Sequence, residues 1–131
     1  MSKSESTEMY LETIYLLEKN HGHAHAVEIA ERLNVSKPSV TKAMNSLKED
    51  GLIDKEAYGT ISLTHKGKEL SKRIYTRHKL LTYFLHYSLG LAVDEAEKNA
   101  CKMEHVVTDE LIVKVKEYLD KRENDEKLKG N

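Results

Sequence analysis

Apolar residues in this chain of 131 residues follow two different spacings. Over residues 10–47 and again over 70–119 they recur every three or four positions, which is the spacing of one helical face. Between these stretches the period changes: Leu52-Ile53, the turn-like segment EAYG at 56–59 and the alternating Ile61 and Leu63 indicate a short β-hairpin. A single hairpin between helical segments predicts a mainly α fold.

Capping and breaking residues mark where six predicted helices begin and end. Ser, Thr and Asp accept hydrogen bonds from the unpaired N–H groups of a first turn, and Gly or Asn commonly follows a last turn. The predicted starts are Ser6 or Thr7, Ala26, Ser36 with Pro38 in the first turn, Thr64, Asp94 with Glu97, and Thr108. The predicted ends are Asn20 to Gly22, Asn34, Asp50 with Gly51, and Gly90. Residues 120–131 carry almost no apolar side chains and should fray or extend the sixth helix.

Length and composition allow one domain or two small subdomains, which we place at residues 1–72 and 73–131. No run approaches the ~18 apolar residues of a membrane span, so a membrane protein is excluded. The N-terminus has no apolar signal region, and the single cysteine, Cys101, permits no intrachain disulfide. Both features favour the reducing cytoplasm as the location.

Charge is distributed unevenly along the chain, although the net charge is only −1. Residues 37–79 contain ten Lys or Arg against five Asp or Glu, whereas residues 93–131 contain eight against eleven. A basic middle and an acidic end are typical of one surface for phosphate and another for cations. Two ordinary solvated faces are the alternative on charge alone.

The order helix, short helix, tight turn, helix and two-stranded hairpin is that of a winged helix-turn-helix. In that fold the third helix enters the major groove of double-stranded DNA, so its outer face must be polar. Small, hydroxylated or cationic side chains there approach phosphates and base edges. The predicted DNA contacts are Ser36, Lys37, Pro38, Ser39, Thr41 and Lys42, with Lys55 and Tyr58 in a wing whose tip turns at Gly59. The alternative is a small helical protein with an exposed basic helix.

Four metal-ligating side chains lie at positions i, i+4, i+7 and i+8 of the fifth predicted helix, and therefore on one face of it. They are Glu97, Cys101, Glu104 and His105. Sulfur, nitrogen and oxygen donors together suit mid-series divalent ions better than Ca²⁺ or Mg²⁺. Further candidates are Met9 and Glu12 of the first helix and His78 of the fourth, whose ring on an apolar stripe needs a partner. Singly, such residues are commonly core residues, so the prediction depends on the whole set.

The segment His21-Gly22-His23-Ala24-His25 allows a second metal site, because alternate side chains of an extended strand point the same way. We favour a solvated turn between two helices instead, because no acidic or thiol side chain is paired with these histidines locally. A zinc titration of a variant that lacks His23 and His25 decides between the two interpretations.

Two other classes of function remain open. A winged-helix regulator could sense oxidation at Cys101, which has Lys98 and Lys102 nearby in sequence but also Glu104. A metalloenzyme is disfavoured, because the sequence has no nucleophile motif, no glycine-rich phosphate loop and no further acid–base dyad. We therefore expect no catalytic site and no small organic substrate.

Several segments resemble the diphtheria toxin repressor family of metal-dependent transcription regulators. They are EMYL at 8–11, TIY at 13–15, IAERL at 29–33, VSKPSVT at 35–41, DGL at 50–52, LT at 63–64 with Gly67, RH at 77–78, and ACKMEHV at 100–106 with Asp109 and Glu110. The resemblance covers roughly residues 6–119, and its Cys-x-x-Glu-His segment is specific. It implies a winged helix-turn-helix followed by a helical dimerisation and metal-binding domain. It also implies a homodimer that binds palindromic operator DNA only with a divalent metal, usually Fe²⁺ or Mn²⁺.

The iron-responsive branch of that family implies roles for most of the candidate ligands. The positions that hold its activating metal match Met9, Cys101, Glu104 and His105. The position matching His78 belongs to an ancillary site. That branch has a histidine where this chain has Glu97 and a carboxylate where it has Thr82, so the implied ancillary site is altered here.

The manganese branch implies a different ligand set. Acidic residues there replace Met9 and Cys101, and a glutamate matching Glu12 is a ligand. This chain combines features of both branches. Because thiolate and thioether donors disfavour the hard Mn²⁺ ion, we expect Fe²⁺ first and Mn²⁺ second. Longer members of the family append a small SH3-like domain, for which this sequence leaves no room.

Overall fold

The structure is a computed structural model that describes residues 3–56 and 59–129. Within them it has six helices and one small sheet, so the predicted mainly α fold is confirmed. The elements are α1 (Lys3–His21), β1 (Ala24–His25), α2 (Ala26–Leu33), α3 (Lys37–Glu49), β2 (Ile53–Lys55), β3 (Thr60–Leu63), α4 (His65–Leu89), α5 (Val93–Met103) and α6 (Asp109–Lys129). They form two compact units, Met1–Arg73 and Ile74–Asn131. Tyr58, a predicted wing residue, lies outside the described residues.

The first unit has one apolar core built from its helices and its sheet. α1 packs against α2, α3 and β3, and α2 packs against α3. The buried side chains include Leu11, Ile14, Leu17, Ile29, Val40, Met44, Leu47, Ile53, Ile61 and Leu63. Fully burying one such side chain contributes roughly 1.5–3 kcal/mol. For the helical members of this list, the spacing seen in the sequence therefore corresponds to the buried face of each helix.

The turn between α2 and α3 has the capping chemistry that the sequence predicts. Asn34 adopts a left-handed backbone with φ of 53°, and the N–H of Val35 donates to the carbonyl of Ala30 at 3.0 Å. Ser36 precedes α3, and its side-chain oxygen accepts from the N–H of Ser39 at 3.2 Å. These bonds end one helix and start the next within three residues, which fixes the helix-turn-helix.

The small sheet contains one strand more than the predicted hairpin. β2 and β3 form that hairpin in antiparallel register, with Ile53 opposite Leu63. β1 pairs with the other edge of β3 and places His25 opposite Thr60, so the strand order is β1-β3-β2. A strand of two residues is too short to show alternation, which explains why the sequence did not indicate it.

Two predicted helix starts are wrong. α1 already begins at Lys3, so Ser6 and Thr7 lie inside it rather than at its cap. α5 begins at Val93 after Ala92, and Asp94 is its second residue, with a carboxylate that accepts from the N–H of Glu95. A cap residue needs a non-helical backbone, but an acid within the first turn still favours the helix through its dipole.

The second unit is built around a smaller apolar cluster. Leu81, Ala100 and Val115 are its buried centre. The partly buried residues around it are Leu80, Phe84, Met103, Val107, Ile112 and Leu119. The predicted cap of α6 is confirmed, because the N–H of Leu111 donates to the hydroxyl of Thr108 at 3.2 Å.

The polar C-terminal segment extends α6 to Lys129, which is one of the two predicted outcomes. Arg122 pairs with Glu126 at 2.9 Å and Lys127 with Glu123 at 3.3 Å, both four residues apart. Such pairs each stabilise a helix by about 0.2–0.5 kcal/mol. No helix in the described part of the chain is long and apolar enough to span a bilayer.

Gly67 lies where the first turn of α4 approaches the backbone after α3. Its N–H donates to the cap hydroxyl of Thr64, and an added Cβ would overlap the carbonyl oxygen of Leu52. We expect Gly67→Ala to lower the free energy of unfolding by about 1–3 kcal/mol, because the backbone must move to admit the methyl group. Urea denaturation measures this, with Lys68→Ala at the exposed neighbouring position as the control. A Gly67→Ala midpoint at or above that of the control contradicts the prediction.

Candidate metal centre and DNA-binding face

A fully buried carboxylate, that of Glu104, is the centre of the candidate site in the second unit. Glu104 follows the last residue of α5, and its N–H donates to the carbonyl of Ala100 at 2.9 Å. One carboxylate oxygen, Oε2, lies 2.9 Å from Nδ1 of His78. The other, Oε1, lies 3.2 Å from Nε2 of His105. Three predicted ligands therefore form one group, here called the His–Glu–His cluster.

The cluster gives His78 the partner that its position on an apolar stripe required. The His78 side chain is 19% exposed and that of His105 is 5% exposed, so both rings lie largely away from water. Because Nδ1 of His78 contacts Glu104, Nε2 is the ring nitrogen that could bind a metal ion. A ring held by a carboxylate in this way is the usual arrangement of a metal-ligating histidine.

Burial of an ionised carboxylate is costly unless opposite charge or hydrogen bonds compensate it. In the His–Glu–His cluster the compensation comes from imidazole rings, which carry a positive charge only when protonated. When both rings are neutral, a bound divalent cation would supply the positive charge that compensates the Glu104 carboxylate. Two imidazoles and one carboxylate suit mid-series transition metals, so the donor chemistry fits a metal centre.

Arg77 holds the turn that carries Glu104 and His105. Its guanidinium donates to the backbone carbonyls of Glu104 at 3.3 Å and Val107 at 3.2 Å, and it also pairs with Asp109. Sequence reasoning did not select Arg77 as a site residue, since its partners are mostly backbone oxygens that no spacing rule reveals. We infer that Arg77 positions the candidate ligands Glu104 and His105 through their backbone.

Replacing Arg77 by methionine is therefore expected to weaken metal binding while leaving all candidate ligands in place. Loss of an outer partner of a metal site typically costs about 10- to 100-fold in affinity. Isothermal titration with Mn²⁺ measures the loss, and Arg73→Met on the exposed side of α4 is the matched control. Equal affinities for the two variants exclude the positioning role.

The predicted single helical face of four ligands is wrong as a description of α5. The helix ends at Met103, and the N–H groups of Val106 and Val107 both donate to its carbonyl. Glu104 is buried at the cap of the helix and His105 lies in the following turn. Glu97 and Cys101 remain on α5, where both residues are exposed.

The two candidate ligands of the first unit lie one turn apart on α1. Met9 is half-buried, and its carbonyl accepts from the hydroxyl of Thr13 at 2.9 Å. Glu12 is buried, with 8% of its surface exposed. A buried carboxylate on a helix is unusual for a structural residue, which is consistent with the role predicted for it.

The predicted DNA contacts at the start of α3 lie in the first unit and are exposed to solvent. Ser36, Lys37, Pro38, Ser39, Thr41 and Lys42 are all exposed. Neither Lys37 nor Lys42 forms a salt bridge with another described residue, so both charges are available to phosphates. In the wing, Lys55 Nζ donates to the side-chain oxygen of Asn45 on α3 at 2.7 Å. This bond connects the wing to α3 and adds Asn45 as a polar residue that sequence reasoning missed.

Both halves of the chain match one protein family. Residues 3–61 match the iron dependent repressor N-terminal DNA binding domain. Residues 64–129 match the iron dependent repressor metal binding and dimerisation domain. The chain belongs to the iron-dependent repressor family. Iron-dependent repressors are DNA-binding transcriptional regulators rather than enzymes, so the predicted class of function is confirmed and the metalloenzyme alternative is excluded.

The relatives of this chain differ in length. It is 38% identical over 119 residues to an uncharacterised helix-turn-helix transcriptional regulator of Methanocaldococcus jannaschii, a match that covers 90% of this chain and 95% of the relative. It is 34% identical over 116 residues to the diphtheria toxin repressor of Corynebacterium glutamicum, which covers 88% of this chain and 51% of that repressor. The chain thus spans about half the length of the diphtheria toxin repressors.

Solved structures of metal regulators have the same fold as this chain. The IdeR of T. acidophilum aligns with a TM-score of 0.80 and 26% identity over 92% of this chain and 55% of that one. The manganese regulator SloR aligns with a TM-score of 0.76 and 30% identity over 92% of this chain and 55% of that one. Both matches confirm the winged helix-turn-helix fold. Relatives named for iron and for manganese occur together, so similarity alone does not identify the metal.

Proposed function

We propose that this chain is a metal-activated repressor that binds operator DNA as a homodimer in the cytoplasm and controls genes of metal uptake. The observation that supports this most directly is the His–Glu–His cluster, in which a fully buried carboxylate lies between two imidazoles. The exposed and unpaired lysines of α3 supply the complementary DNA-binding face.

The activating ion in this proposal is Fe²⁺, with Mn²⁺ second. Glu104 and His105 would hold it, together with Cys101 and Met9 as soft donors and Glu12 as a further oxygen donor. His78 and Glu97 are the candidates for an ancillary ion. Thiolate and thioether sulfur favour Fe²⁺ over the harder Mn²⁺, which is the chemical reason for the order. The bound ion supplies positive charge to the buried carboxylate.

Activation requires that the ligands bind the ion more tightly in the DNA-competent state than in other states. Arg77 then acts by holding the backbone of Glu104 in place, so that His105 and the carboxylate stay oriented. Allosteric coupling between two sites is typically about 1–3 kcal/mol, which corresponds to roughly 5–150-fold in affinity.

Homodimerisation in this proposal uses the exposed apolar side chains of the second unit. Leu89 is 68% exposed, Val93 50% and Val106 61%, although large apolar side chains of this kind favour burial. The homodimer presents two copies of α3 to a palindromic operator. Sedimentation of the full chain tests the stoichiometry, and a purely monomeric species at micromolar concentration contradicts it.

The proposed function is tested by operator binding under anaerobic conditions, with Fe²⁺, with Mn²⁺ and with a chelator. The DNA is the promoter upstream of the chain's own gene and of metal-uptake genes. We expect roughly 5–150-fold tighter binding with metal, by the coupling given above. Equal affinity with metal and with chelator contradicts the proposal. Comparison of operator affinity with Fe²⁺ and with Mn²⁺ at the same free ion concentration establishes which ion activates.

A further inference from the structure

Three ligand side chains lie together at the start of α2, and the proposed function uses none of them. They are His23, His25 and Glu28, whose nearest ligand atoms all lie within 4.8 Å of one another. His23 is exposed, whereas His25 and Glu28 are half-buried. This group, here called the α2 cluster, belongs entirely to the first unit.

Local structure brings the α2 cluster together from positions i, i+2 and i+5. His25 ends β1 and is held by pairing with Thr60 of β3. Its backbone is extended, with φ of −123° and ψ of 149°, and its side chain makes no capping bond to α2. The two imidazole rings approach to 4.8 Å between centroids. Glu28 lies in the first turn of α2, which brings its carboxylate back beside the strand.

A second observation concerns the Glu28 carboxylate alone. Its Oε1 atom is buried and has no hydrogen-bond partner among the described residues. A buried carboxylate oxygen without a partner is costly, and a bound cation is one way to compensate that cost. The unsatisfied oxygen and the two adjacent imidazoles are independent features of the structure.

The sequence favoured a solvated turn here because no acidic side chain was paired with the histidines. That reason is wrong, since Glu28 lies among them. The proximity of Glu28 to the histidines was missed because His25 ends a strand, His23 precedes that strand, and Glu28 lies in the first turn of a helix. The strand period relates positions 23 and 25, but neither it nor the helical period relates all three.

We propose that the α2 cluster is a second metal site, distinct from the His–Glu–His cluster, and that it binds a divalent ion of the zinc class. Two imidazoles and one carboxylate are three of the ligands of a four-coordinate Zn²⁺ site. The exposure of His23 leaves the fourth position to water. The cluster has no sulfur donor, so it selects for nitrogen and oxygen ligation.

Occupancy of the α2 cluster would connect β1, which is paired to the wing strand β3, with the first helix of the helix-turn-helix. An ion that binds only the folded chain raises its stability. The site therefore acts as a structural clamp on the DNA-binding unit. Its effect does not depend on whether the His–Glu–His cluster activates the protein.

The test is a titration of the full chain with Zn²⁺ against a chromophoric chelator. The wild type is expected to bind one more equivalent per chain than the double variant His23→Ala/His25→Ala. His21→Ala, which removes the last residue of α1 outside the cluster, should keep that equivalent. Glu104→Gln should also keep it, which separates this site from the proposed activating one.

Glu28→Gln provides a more conservative test, because it replaces the carboxylate by a neutral amide of nearly the same size. We expect at least the roughly 10- to 100-fold loss of Zn²⁺ affinity typical of altered metal-site partners, together with loss of the Zn²⁺-induced rise in melting temperature. Circular dichroism establishes that each variant is folded. Unchanged stoichiometry and affinity in folded Glu28→Gln overturn the proposal, as does equal loss in His21→Ala.

Discussion

Glu104→Gln is expected to abolish the metal dependence of operator binding while the chain remains folded. The substitution keeps the shape of a fully buried side chain but removes the charge that faces His78 and His105. A neutral amide is a poor ligand for a mid-series cation, so the coupling of roughly 5–150-fold should fall to about one. Fluorescence anisotropy of labelled operator, with metal and with chelator, measures the ratio.

The matched control for this substitution is Glu110→Gln. Glu110 is an exposed acid in the first turn of α6, so the variant loses the same charge from the same unit. It should retain the full metal response. If Glu104→Gln retained the response as well, Glu104 and His105 would not hold the activating ion.

The same variant separates metal sensing from redox sensing. Cys101 is exposed, as a redox-active thiol normally is, and is also a proposed ligand. A redox sensor should survive Glu104→Gln but lose its response in Cys101→Ser. A metal sensor should lose its response in Glu104→Gln, whatever the oxidation state of the thiol.

Lys37→Ala and Lys42→Ala are each expected to weaken operator binding and to reduce its dependence on salt. Both lysines are exposed on α3, and within the described residues neither forms a salt bridge. Each phosphate contact releases counterions, so its loss should reduce the slope of log affinity against log salt by about 0.9. Operator titrations at several salt concentrations measure that slope.

Lys98→Ala is the control, because it removes an exposed positive charge from α5 in the second unit. Its slope should equal that of the wild type. The double variant Lys37→Ala/Lys42→Ala should show about twice the single effect if the two contacts are independent. An unchanged slope in the double variant would place the phosphate contacts on another surface.

Local chemistry made much of the fold predictable. The bounds of α2 and α3 depend on residues that act within one turn, such as Asn34 and Ser36, and these were predicted correctly. β1 was not predictable, since its two residues are a strand only through pairing with β3. The start of α1 at Lys3 was predicted too late, because Ser and Thr can lie inside a helix as well as cap it.

The sequence proposed candidate ligands but not the contacts among them. The sequence indicated that His78 needs a polar partner, yet Glu104 is 26 positions away and only tertiary packing identifies it. Arg77 was missed because its bonds go to backbone carbonyls. The assignment of ligands to the activating ion stays a prediction for Met9, Glu12, Cys101, Glu104 and His105 alike.

The central claim is that metal binding and operator binding are coupled. The most direct test measures the effect of operator on metal affinity. Metal affinity of the wild-type chain is determined without DNA and with saturating operator. Thermodynamic linkage requires that operator tighten metal binding by the same factor by which metal tightens operator binding, roughly 5–150-fold. That result is what we predict. Identical metal affinities with and without operator would contradict it.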